Sequence, residues 1–228
     1  MTSGPARPDF RSLRWDRIRP AMNSSEAARL LDAVDFAARK HSGQRRKDPE
    51  QTPYINHPIG EAGTRGGRRK AGGAAGGNSV TPLSPAGVAQ ILAQEAGVAD
   101  VAVLQAALLH DTVEDTDATF AEIEQRFGPE VRRLVEELTD DKALPRAERK
   151  RLQVERAAGL SAGARLVALA DKLHNLRDLD RRAPEGWSEQ RVREYFAWAA
   201  RVADALRGSC PALEEPLWRL LAARGIAR

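Results

Sequence analysis

Apolar residues recur along this chain at three- and four-residue steps, and the alternation of a half-buried strand is scarce. That period belongs to helices that bury one face. It predicts helices over 25–41, 88–96, 99–114, 119–127, 129–138, 145–157, 163–179, 189–207 and 212–223. In the segment 163–179, Leu166, Leu169, Ala170, Leu173 and Leu176 line one face. Residues 101–109 read Val-Ala-Val-Leu-Gln-Ala-Ala-Leu-Leu, apolar nearly all round, so that helix is expected to be buried. Thr119 and Glu122 have the spacing of a capping box, and Gly128 suits the stop after it. Pro129 and Pro145 suit first-turn positions, and Ser188 suits an N-cap. The pattern describes an all-α fold of stacked helices with short connections.

Two segments interrupt it. Residues 1–21 contain prolines at 5, 8 and 20 and no core periodicity, and they read as a disordered N-terminal extension. Residues 61–87 hold eight glycines in 27 positions together with Arg65, Arg68, Arg69 and Lys70, and they read as a disordered insert. Without that insert, His57-Pro-Ile-Gly60 would run directly into Val88-Ala-Gln-Ile-Leu as one helix. The expected organisation is therefore an extension over 1–21 and a single helical domain over 22–228, interrupted at 61–87.

The 228 residues suffice for one domain with a sizeable core. The formal net charge is +4, but the two odd segments carry more than that excess, which leaves the remainder slightly acidic. A specific nucleic-acid surface would need a basic face on the domain itself, so none is expected. The single cysteine, Cys210, excludes an internal disulfide and fits a reducing compartment such as the cytoplasm. No stretch is apolar for long enough to span a bilayer, so no membrane partner is expected.

Chemistry concentrates where the buried helix ends, in Leu-Leu-His110-Asp111-Thr-Val-Glu114-Asp115. On a continuous helix, 110 and 114 share a face, as do 111, 114 and 115. Burying an imidazole among several carboxylates is costly unless a positive charge sits between them, which points to a divalent metal. Three further pieces accompany this one. They are Tyr54-Ile-Asn-His57-Pro, the run Leu169-Ala-Asp171-Lys-Leu-His-Asn175-Leu, and the basic run His41-Ser-Gly-Gln-Arg-Arg46-Lys47.

The order His, His-Asp, Asp in helical context resembles the HD-domain metal-dependent phosphohydrolases. The fuller runs Arg45-Arg-Lys-Asp-Pro, Pro53-Tyr-Ile-Asn-His-Pro, Ala107-Leu-Leu-His-Asp-Thr-Val-Glu-Asp-Thr and Leu169-Ala-Asp-Lys-Leu-His-Asn-Leu-Arg are similar to the hydrolase domain of the RelA/SpoT family. Within it the chain is most similar to the small stand-alone animal form. The resemblance runs from about Ser24 to the C-terminus and omits 61–87. It implies an HD-domain helical bundle. It also implies that His57, His110, Asp111 and Asp171 bind one metal ion, expected to be Mn²⁺, although the donor set also suits Zn²⁺, Fe²⁺ or Co²⁺. Glu114 and Asp115 would be the catalytic acids, with a supporting hydrogen bond to a ligand histidine as the alternative for Glu114. Arg46, Lys47 and Asn175 would contact the nucleotide, and His41 and His174 match no ligand position. The implied reaction removes the 3′-diphosphate of guanosine 3′,5′-bis(diphosphate), ppGpp, giving GDP and pyrophosphate. The alternatives are a phosphatase acting on another nucleotide, such as the 2′-phosphate of NADPH, and an isoform impaired because the insert breaks the helix that carries His57. The implied partner is a small nucleotide, and the oligomeric state stays open.

Overall fold

The computed structural model describes residues 24–43, 85–181, 183–184 and 186–227. Among them are ten helices: α1 (Ser24–Lys40), α2 (Pro85–Gln94), α3 (Val101–Leu109), α4 (Thr112–Asp115), α5 (Phe120–Phe127), α6 (Pro129–Leu138), α7 (Arg146–Ala157), α8 (Ala162–Arg181), α9 (Glu189–Ala205) and α10 (Pro211–Ala223). The described residues contain no strand, and the fold is all-α as the periodicity predicts.

The centre of the bundle is α3, whose nine residues are all buried. It starts at Asp100, whose carboxylate accepts from the backbone N–H groups of Ala102 (2.8 Å) and Val103 (3.2 Å). That cap satisfies two donors that a buried helix start would otherwise strand. Around α3 pack α1, α2, α6 and α8. An α5–α6 hairpin closes one side, its corner set by Gly128 at φ 90°. Thr119 and Glu122 form the expected capping box on α5, and Pro129 opens α6. On the other side, α9 and α10 cover α8, and α7 lies on α9. Ser188 caps α9 through the Arg191 N–H, as expected.

Three expectations are corrected. The helix over 99–114 is broken, because α3 stops at Leu109 and α4 restarts at Thr112. Between them Asp111 sits at φ −107°, ψ −1°, in the bridge region between helix and strand. The continuous apolar run ends at Leu109, and just beyond it Thr112 and Val113 return to the core after the polar His110-Asp111 pair. Pro145 precedes α7 as its cap residue and does not lie in its first turn. Finally, α2 begins at Pro85, three residues inside the segment read as insert. No helix among the described residues is long and apolar enough to cross a membrane.

Candidate active site

A cavity of about 230 Å³ opens where the α3–α4 break faces α8. Its wall runs from Val88 of α2 across His110, Asp111 and Glu114 to Thr139 and Asp140 after α6. Gln153 and Arg156 of α7 and Asp171 and Asn175 of α8 complete it. The cavity has two charged poles.

At the first pole, Nδ1 of His110 lies 2.8 Å from the carbonyl of Ala107, so that nitrogen carries its proton and donates it. The bond turns Nε2 towards Asp171, 3.7 Å from its Oδ1. On the far side, Nε2 of the buried His41 lies 3.5 Å from Oδ1 of Asp111. Asp171 also accepts from Asn175 (2.8 Å) and pairs with Lys172 (2.6 Å). The Lys172 ammonium in turn lies 4.8 Å from the centre of the Trp198 ring. Burial pulls the His110 imidazolium down, but Asp111 and Asp171 outweigh it and push it up to about 9. Burial works against the Asp171 carboxylate too, yet Lys172 and His110 hold it well below the usual carboxylate range. Both shifts have one meaning. The two carboxylates create a place for a cation, and a proton or a metal ion on Nε2 answers the same need.

The donors, one imidazole with an oriented Nε2 and two carboxylates, have the chemistry of a divalent-ion site. Among the described residues, no group of three or more His, Cys, Asp or Glu side chains closes around a single point as a ligand shell. His57, Arg46 and Lys47 lie outside the described residues.

At the second pole, Oε1 of Glu114 lies 3.1 Å from Nη1 of Arg149, and its Oε2 accepts from the backbone N–H of Asp140 at 3.5 Å. Burial pushes the Glu114 carboxyl up, and the neighbouring carboxylates of Asp140 and Asp115 add to that. Asp140 is itself held by Gln153, whose amide donates to Oδ2 at 2.5 Å. Asp115 differs from its neighbour. It pairs with Lys142 at 2.7 Å on an exposed face and does not line the cavity.

The structure thus brings His110, Asp111, Glu114, Asp171 and Asn175 to one cavity. It adds Asp140, Arg149 and Gln153, which sequence reasoning misses because their pairings span loops and helices with no local pattern. His41, which matches no ligand position in the sequence, sits behind Asp111, a placement that becomes visible only in three dimensions.

Residues 68–200 match the family model described as the HD domain. The chain is 59% identical to the guanosine-3′,5′-bis(diphosphate) 3′-pyrophosphohydrolase MESH1 of Homo sapiens, over 89% of this chain and 98% of that protein. It is 45% identical to the protein of the same name in Drosophila melanogaster, over 90% of this chain and 99% of that one. Among solved structures it is similar to a metazoan ortholog of SpoT, which hydrolyzes ppGpp and plays a role in starvation responses. The TM-score is 0.74 and the identity 45%, over 88% of this chain and 97% of that chain.

Proposed function

The chain belongs to the HD-domain family and, within it, to the guanosine-3′,5′-bis(diphosphate) 3′-pyrophosphohydrolases, and we propose that its cavity removes the 3′-diphosphate of ppGpp. Water adds to the phosphorus attached to the ribose 3′ oxygen, and the bond between that phosphorus and oxygen breaks. The oxygen takes a proton, and the products are GDP and pyrophosphate. Membership of the HD family implies a divalent metal, and we assign Mn²⁺ to His57, His110, Asp111 and Asp171. When bound, that ion polarises phosphate oxygens and makes water more acidic.

The remaining steps fall to the chain's own side chains. His41 and Ala107 fix the two halves of the His110–Asp111 doublet from behind. Asn175 and Lys172 fix Asp171, so the Asn175 amide nitrogen is already engaged when it meets a nucleotide. Glu114 handles the proton. Its raised pKa, set by burial and by Asp140 and Asp115, makes it a stronger base than an exposed carboxylate, and Arg149 keeps it in place. Asp115 acts from the rim through Lys142. Arg46 and Lys47 complement the phosphates and the purine, the guanidinium through stacking and the ammonium as a point charge. The domain is 22–228, with 61–87 as an insertion in it.

The observation that carries this reading is the single cavity, with the His110–Asp111–Asp171 cluster on one side and Glu114 on the other. The test is turnover of ppGpp with Mn²⁺ in excess, using Asp111→Ala as control. GDP and pyrophosphate formed by the chain and absent with Asp111→Ala, at unchanged helicity, are the expected result. Equal turnover by the variant would place the chemistry elsewhere.

A further inference from the structure

The first turn of α2 is built for its place beside the site. A β-carbon at Gly87 would lie 2.2 Å from Nε2 of His174, inside any allowed contact, so a larger residue there has to displace the buried His174 ring. The next residue, Val88, is buried and lines the cavity with His110 and Asp171. The sequence contains two segments with the make-up of this turn, His57-Pro58-Ile59-Gly60 and Ser84-Pro85-Ala86-Gly87. Each has a proline suited to the first helical position, where a missing N–H costs nothing. Each also has a glycine two residues later, and in the second segment that glycine is Gly87, which faces His174. Only one of them is bonded to Val88, and in this chain it is the second.

We propose that Pro85–Gly87 takes the docked first turn of α2 that His57-Pro58-Ile59-Gly60 would otherwise form, so that this chain holds its metal through His110, Asp111 and Asp171 without His57. The inference rests on the reading of His57 as a ligand and narrows it: the set His57, His110, Asp111 and Asp171 belongs to the uninterrupted domain, and the interrupted chain keeps three of the four. The residue that precedes Pro85 in the sequence is Ser84, whose neutral hydroxyl is a much weaker donor to a divalent ion than an imidazole. Removing 61–87 joins Gly60 to Val88 and returns a histidine to that position. The insert thereby replaces one metal ligand while keeping the proline and glycine that suit the packing of α2.

The test is a calorimetric titration of Mn²⁺, with helicity followed by circular dichroism. It compares the full chain, the full chain with Ser84→His, the chain lacking 61–87, and that shorter chain with His57→Ala. The full chain is expected to bind at least ~10-fold more weakly than the shortened one. Ser84→His should recover the difference, and His57→Ala should bring the shortened form down to the level of the full chain. Equal binding by the full and shortened chains overturns the inference, as does weak binding that Ser84→His leaves unchanged. A shortened chain indifferent to His57→Ala overturns the ligand reading itself, and the inference with it.

Discussion

Helices α3 and α8 are both buried rods that meet at the cavity, and they deliver charge to it in opposite ways. α3 is apolar along its whole length and supplies nothing until it stops, so that His110, Asp111 and Glu114 come from the break and the short turn beyond it. α8 carries Asp171 and Asn175 one turn apart in mid-helix, with Lys172 and His174 buried between them. Positions on α8 are fixed by helical register and by one another. Positions after α3 are fixed by where the core lets go of the chain. A side chain on α8 can therefore be altered with a local effect on chemistry, whereas α3 acts on the site through the stability of the core.

The sharpest contrast comes from α8. Asp171→Asn keeps the shape but removes the charge that faces His110, and turnover of ppGpp should fall by on the order of 100-fold or more with the fold intact. A loss below tenfold would break the assignment of Asp171 to the metal pole. On α3 the corresponding change is Leu109→Ala at a fully buried position. It should cost about 3 kcal/mol in denaturant unfolding, and a cost near zero would contradict the view of α3 as the central rod.

Gly87→Ala sharpens the account of how α2 meets α8. The β-carbon collides with His174, so the change should cost about 1–3 kcal/mol and much less in a His174→Ala background. Additive effects would mean that the two residues do not meet.

Arg149→Ala tests the second pole through its pH dependence. Burial, Asp140 and Asp115 already hold Glu114 above its ordinary value, and loss of the Arg149 cation raises it further. Glu114 must be deprotonated to accept a proton, so the acid limb of the pH–rate profile should move to higher pH. A limb that stays in place removes Glu114 from that role.

The smallest effect belongs to the α2–α8 surface pair. Arg177 beside Glu95 holds its carboxyl below the ordinary range, with burial opposing. A lowered carboxylate pKa stabilises the fold above its unfolded value of 4.5, and that contribution fades as pH falls through the folded value. Glu95→Gln should therefore cost less than about 1 kcal/mol at neutral pH and nothing in strong acid, as read from unfolding midpoints across pH.

The same contrast explains what could be read from the chain before its structure. The bounds of α6 were legible because Gly128-Pro129 marks its start and the apolar period ends at Leu138. Asp171 and Asn175 were legible because they stand one turn apart on a helix that the leucine stripe defines. The break at His110–Asp111 was not, since a periodic pattern carries past it and only the shape of the core decides where the helix stops. Arg149 reaches Glu114 across 35 positions, and Gln153 holds Asp140 across 13, with no local signal. The close approach at position 87 comes from the imidazole of His174 on another helix, which composition cannot reveal.

The account stands most directly on which bond of the substrate breaks. Phosphorus NMR of ppGpp turned over by this chain, with Mn²⁺ in excess, reports that bond. Intact pyrophosphate together with GDP is the expected outcome, with loss of both in Asp111→Ala. Orthophosphate as the first product, or cleavage at the 5′-diphosphate, would contradict it.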